Sequence, residues 1–218
     1  MKKIMFNDKF LLTKAVLDGR KTRTRRLIKC RKTFKGEWVA GFNIHIRPSD
    51  KKVVGLPCMY DADESEFDGG EILPKYNVGE VVAVAQSYKD AGFRPDKILY
   101  RSIPKIDGYK QEAAANQKGW SNKMFVAANL MPHQILITDV RVEKLQDISD
   151  ECCLKEGIQR MLTGCEYYQY SFYDNDKGLW NNYKTPREAF AELINKVSGK
   201  DVWEENPYVF VYDFELVK

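Results

Sequence analysis

The sequence predicts an α+β protein built on a curved sheet or small barrel. Strand-like stretches dominate it, the clearest being residues 81–88, 134–145 and 208–216. Only two or three helical stretches fall between them. The regular strand–helix alternation of a doubly wound sheet is missing.

Residues 3–6 read as a short first strand. Asn7 or Asp8 is placed to cap a helix running to about Asp18, with Leu12, Ala15 and Val16 on one face. Gly19 falls just past its C-terminus, where a left-handed residue commonly ends a helix. Residues 37–40 and 52–56 suggest short strands. Residues 61–71 hold six acids around Gly69 and Gly70 and read as an exposed acidic loop. The run Val81-Val82-Ala83-Val84-Ala85 predicts a strand buried on both faces, with Gln86 projecting a polar group from its end. Residues 97–102 suggest another strand. Residues 104–131 are polar and irregular, with Trp120 and Met124 as expected anchors.

Residues 134–145 alternate, placing Ile135 and Ile137 inward and Asp139, Arg141 and Glu143 outward. The phase slips near Asp139, as a bulge would require. Ser149 caps a short helix that ends at Gly157, leaving Glu156 at the C-terminus, where a carboxylate opposes the helix dipole. Either a nearby cation pairs with it, the preferred reading of the residue by itself, or a residue set against its local field is a hint of function. Between 159 and 185 lie Tyr167, Tyr168, Tyr170, Phe172, Tyr173, Trp180 and Tyr183, either an insertion that packs on itself or a stacking surface for unpaired bases. Pro186 opens a helix whose buried stripe is Ala189, Phe190, Leu193 and Ile194. A long strand over 208–216 closes the chain. No repeat, low-complexity linker or domain boundary divides the 218 residues.

Hydrophobic and charged fractions of 44% and 30% are those of an ordinary globular protein. No apolar run approaches the ~20 residues of a membrane span, and residues 1–8 do not form a secretory signal, so the expected location is cytoplasmic with no membrane partner. Five cysteines, two of them adjacent at 152 and 153, fit reduced thiols. His45 and His133 are isolated and no Cys-x-x-Cys pair occurs, which argues against a zinc site; no metal or cofactor is expected.

The functional reading begins at Arg20-Lys21-Thr22-Arg23-Thr24-Arg25-Arg26. Nine basic residues and no acid lie between Arg20 and Lys35, more positive charge than the chain's formal +4, so the basicity is local. A solvated basic turn is the bland reading, and the helix dipole accounts for one or two of the cations. Nine exceed it.

These residues resemble a known family. Leu17-Asp18-Gly19-Arg20-Lys21-Thr22-Arg23-Thr24-Arg25-Arg26 resembles the opening motif of ASCH domains, members of the PUA-like superfamily. In the expected order follow Tyr76-Asn77-Val78-Gly79-Glu80-Val81-Val82, similar to the family's strand entry, and Asp139–Ser149, similar to a strand and helix cap of its prophage-associated branch. Asn206-Pro207-Tyr208-Val209-Phe210 resembles its final strand. The resemblance implies one domain over 1–218, a small PUA-like β-barrel with flanking helices, and insertions at 34–75, 89–119 and 159–185. It also implies a cleft beside the first helix and RNA or a modified nucleoside as partner; the basic run and the strand end put Arg20, Arg23, Arg25, Arg26 and Gln86 forward as the ligand-binding residues around Lys21–Arg26. One small branch deacetylates acetylcytidine with a lysine, a threonine and a glutamate; carried over, these fall on Lys21, Thr24 and Glu156. The chain departs from that branch in being about twice as long.

Metal-free amide hydrolysis needs a nucleophile, a proton acceptor and an oxyanion stabiliser. Thr24 supplies a hydroxyl. Either Lys21 takes its proton, with its pKa lowered by neighbouring arginines, or Glu156 is the base and charged Lys21 steadies the oxyanion. The first expectation is an RNA- or nucleoside-binding domain that uses the basic cleft around Lys21–Arg26; this amidohydrolase and a protein-interaction adaptor are the alternatives.

Overall fold

The computed structural model describes residues 1–30, 32–34, 36–39, 41–47, 53–58, 71–93, 118–164 and 167–217. The acidic stretch 61–70 and the expected strand at 97–102 lie outside the described residues. In chain order the elements are β1 (Lys3–Ile4), α1 (Leu12–Leu17), β2 (Arg23–Leu27), β3 (Thr33–Phe34), β4 (Glu37–Trp38), β5 (Gly41–Ile46), β6 (Val53–Cys58) and β7 (Val81–Val84). There follow α2 (Lys118–Ser121), β8 (Gln134–Lys144), α3 (Asp150–Lys155), β9 (Gln159–Thr163), β10 (Tyr167–Asp174), β11 (Leu179–Tyr183), α4 (Pro186–Ser198), α5 (Val202–Glu205) and β12 (Tyr208–Leu216).

The architecture is α+β. A mixed five-stranded sheet of order β1-β7-β8-β12-β2 forms the centre, with β1 parallel to β7 and the other pairs antiparallel. β12 is an interior strand, between β8 and β2, with Val209, Phe210, Val211, Tyr212 and Phe214 buried on both its faces. Opposite it, Asp213 pairs with Asp139 and Phe214 with Ile137, so Thr138 is the extra residue of a bulge, where the phase slip predicts one. The sheet is curved but open. No strand joins β1 to β2 among the described residues, so the expected barrel is not closed. The Arg26 guanidinium nevertheless donates to the Met5 carbonyl just beyond β1 at 2.6 Å, so one side chain spans the gap between the edges.

A capping box of Thr185 and Glu188 starts α4, whose stripe of Ala189, Phe190, Leu193 and Ile194 joins the main core as the helix packs on β10, β11, α3 and α5. Ser149 caps α3 through the Cys152 amide, as expected. α1 begins later than its sequence suggests. Asn7 accepts from the Lys9 amide and Asp8 from the Thr13 hydroxyl, so both side chains stabilise a turn over residues 8–11 and neither caps the helix. Trp120 packs in a second small cluster, whereas Met124 is exposed and anchors nothing. Parts of the expected 34–75 insertion form the hairpins β3–β4 and β5–β6. β9, β10 and β11 form an antiparallel meander, attached to the core by Phe172, which meets Phe10 edge-on and stacks with Tyr183.

Candidate functional site

The basic stretch is not a solvated turn. Past α1, Gly19 adopts φ 72°, and the amides of both Arg20 and Lys21 then fold back onto the Ala15 carbonyl. The Thr22 amide donates to the Lys155 carbonyl, which fastens this exit to the end of α3, where Glu156 sits. Residues Arg23–Leu27 continue as an edge strand on β12. Gly157 (φ 107°) allows the close approach: a Cβ there would meet Leu12 at 3.2 Å and the Lys21 side chain at 3.6 Å.

This backbone buries Lys21 (3% exposed) against Glu156 (4% exposed). Lys21 Nζ donates to Glu156 Oε2 and to the Glu156 backbone carbonyl, each at 2.7 Å. Arg25 donates through Nη1 to Glu156 Oε1 at 3.1 Å and through Nη2 to Glu143 at 2.9 Å, leaving its buried Nε without an acceptor. The buried donor costs about 1–3 kcal/mol. Burial pushes the Lys21 amine below the ordinary lysine value; the Glu156 carboxylate opposes this, and Arg26 and Arg25 reinforce it. The 2.7 Å ion pair favours a charged lysine, but full burial is the larger effect, so the downward direction stands.

Strand alternation places Thr24 and Arg26 on one face of β2 and Arg23 and Arg25 on the other. The second face carries an ion network across three strands: Arg23 binds Asp213, and Arg141 binds Asp139, Asp213 and Glu143. Burial raises the Asp213 carboxyl, but hydrogen bonds from Arg23 and Arg141 outweigh it and hold the group below its ordinary value. Arg23 also donates to Cys152.

Along the free edge of β2 both faces open into a cleft of about 440 Å³. Asn7, Lys21, Thr24, Arg25, Arg26, Lys29, Glu156 and Ser198 supply its polar lining, and Phe6, Leu12, Phe190 and Leu193 are among its apolar walls. The three residues expected to act together therefore share one cleft. Lys21 and Glu156 touch directly. Thr24 is buried, and its hydroxyl makes no hydrogen bond among the described residues, to Lys21 or Glu156 included.

Of the expected ligand-binding residues, Arg25 and Arg26 line the cleft. Arg20 is exposed and paired with Asp18, Arg23 is committed to Asp213, and Gln86 is buried beside Met131 away from the cleft lining. Sequence reasoning did not single out Glu143, Asp213 or Lys29. The alternation of Asp139, Arg141 and Glu143 was the available signal; it marks a charged face that meets Arg23 and Arg25.

Among the described residues no group of three or more His, Cys, Asp or Glu side chains gathers to hold a metal ion, and no helix is long and apolar enough to cross a membrane. Compared with protein-family models, curated proteins and solved structures, the chain matches none of them.

Proposed function

We propose that this chain is a metal-independent amidohydrolase acting on an acylated nucleoside, through Lys21, Thr24 and Glu156. One observation carries the reading: a buried lysine, hydrogen-bonded to a buried glutamate, lines the same cleft as a threonine with an uncommitted hydroxyl. The nucleoside comes from the resemblance to ASCH domains and from a cleft with apolar walls and polar ends; a PUA-like origin for the curved sheet belongs to the same proposal.

Neutral Lys21 has two N–H groups, and the Glu156 carboxylate and carbonyl accept two hydrogen bonds from Nζ. The lone pair is then free for the Thr24 proton. In the proposed reaction Thr24 Oγ1 attacks the amide carbon as its proton passes to Lys21 Nζ, and the oxyanion forms beside Lys21 and Arg25. Collapse breaks the C–N bond, and the Lys21 proton leaves with the amine. Water, deprotonated by Lys21, then attacks the acyl carbon; the bond to Thr24 Oγ1 breaks, Oγ1 takes the proton back from Lys21, and the acid leaves. Glu156 is the positioning residue. Closure of the Thr24–Lys21 gap belongs to the substrate complex, where catalytic hydrogen bonds tighten.

The test is a panel of acylated nucleosides at varied pH. Wild-type protein should release acid and nucleoside, with kcat/KM rising on an ionisation below the ordinary lysine value of 10.5. Lys21→Ala should abolish turnover. Glu156→Gln should move that ionisation as well as slow the reaction, because the carboxylate beside the amine is removed. A folded wild-type protein inactive on the whole panel would refute the reading.

A second reading, a binding module for unpaired nucleic acid, is favoured by the meander, where Tyr167 and Tyr168 are exposed and the Arg160 guanidinium stacks on Tyr168 at 3.5 Å. Binding lost in Tyr168→Ala, with no hydrolysis by wild type, would support it.

A further inference from the structure

The cations of the basic stretch divide into two groups. Lys21, Arg23 and Arg25 each bind a carboxylate inside the protein. Arg26 does not: it is half-buried, lies 5.7 Å from the Phe6 ring, and the acceptor it has is the Met5 carbonyl. Burial pushes its pKa below the usual arginine value against the opposing pull of Tyr76, Glu156 and Tyr212, although an arginine stays charged. Lys29 is exposed and forms no ion pair among the described residues. Both line the cleft, and the sole acid among its described lining residues is Glu156, already bound to Lys21 and Arg25. The cleft thus carries two cations that pair with Glu156 inside the protein, Lys21 and Arg25, and two, Arg26 and Lys29, that form no ion pair among the described residues.

We infer that the cleft takes its acylated nucleoside as the monophosphate, with Arg26 and Lys29 anchoring the phosphate; this rests on the hydrolase reading above. A guanidinium has five N–H donors, and a fork left largely unused matches two phosphate oxygens. Lys29 adds a mobile point charge at the rim. The charge count selects the monoester: at neutral pH it carries about −1.5 to −2, which two cations balance, whereas a carboxylate or a chain-internal phosphodiester brings about one charge. Spacing agrees with this division. Thr24 and Arg26 stand two residues apart on one face of β2, about 7 Å along the strand, and Lys29 lies two residues past its end. The acyl group would lie at Lys21 and Thr24, with the phosphate toward the end of β2.

The experiment compares kcat/KM for N4-acetylcytidine and its 5′-monophosphate in low salt. Wild-type protein should favour the monophosphate by at least about tenfold, the scale of one charge-assisted contact. Arg26→Gln should collapse the preference, Lys29→Ala should reduce it, and added salt should erode it. Lys29 is exposed, so Lys29→Ala keeps the test readable if Arg26→Gln does not fold. Equal rates on both substrates, or a preference that survives both substitutions, would overturn the inference. If neither compound is hydrolysed, the hydrolase reading falls separately, and calorimetry with cytidine and cytidine 5′-monophosphate decides the anchor. Tighter monophosphate binding that depends on Arg26 supports it; equal or absent binding overturns it.

Discussion

The basic strand and the aromatic meander have exchanged the environments their compositions suggest. On β2 the charged side chains of Arg23 and Arg25 are buried, as is Lys21 just before it. On the meander, Tyr167 is 74% and Leu162 65% exposed. Burial follows partners more than residue type. The cations lie inside because Glu143, Glu156 and Asp213 meet them there, whereas β9–β11 buries Phe172 and leaves its far end uncovered. The charged interior holds a defined arrangement of groups at a cleft, and the aromatic exterior offers surface.

The largest expected effect breaks the buried side of this contrast. Glu156→Ala leaves Lys21 and one arm of Arg25 without their carboxylate, and should cost about 3–5 kcal/mol in denaturant unfolding. Gly157→Ala comes next. It forces a side chain into φ 107° and toward Lys21, for an expected loss of about 1–3 kcal/mol. A pH titration of stability sharpens the picture further. Asp213 and Glu143 are both held below their ordinary values of 3.8 and 4.5, in each case because hydrogen bonds from arginine outweigh burial. For a carboxyl whose folded pKa is depressed, the unfolded chain binds more protons, so the stabilisation is complete above the ordinary value and fades as pH falls through the folded one. Asp213→Asn should flatten the loss of stability below about pH 4. At the other extreme, Tyr167→Ala on the exposed meander should stay within about 0.5 kcal/mol of wild type.

What was legible in the sequence was local and periodic. The β8 alternation with its bulge, the α4 stripe behind Pro186, the Ser149 cap and the position of Glu156 all follow from spacing within about a dozen residues. β2 was hidden, because Arg23-Thr24-Arg25-Arg26 shows no apolar alternation; its counter-charges come from β8, β12 and the end of α3, far away in the chain. For the same reason Glu143 read as solvent-facing. The site was half legible. Lys21, Thr24 and Glu156 were named from motif and helix-end charge, but the division of the arginines into paired and unpaired ones needs the register of three strands.

The most direct test of the central claim is acid release from N4-acetylcytidine by the Thr24→Ala protein beside wild type, with thermal unfolding measured on both. The account predicts turnover by wild type, a loss of at least about 100-fold in Thr24→Ala, and closely similar melting temperatures. Wild-type turnover that persists undiminished in a folded Thr24→Ala protein would contradict it.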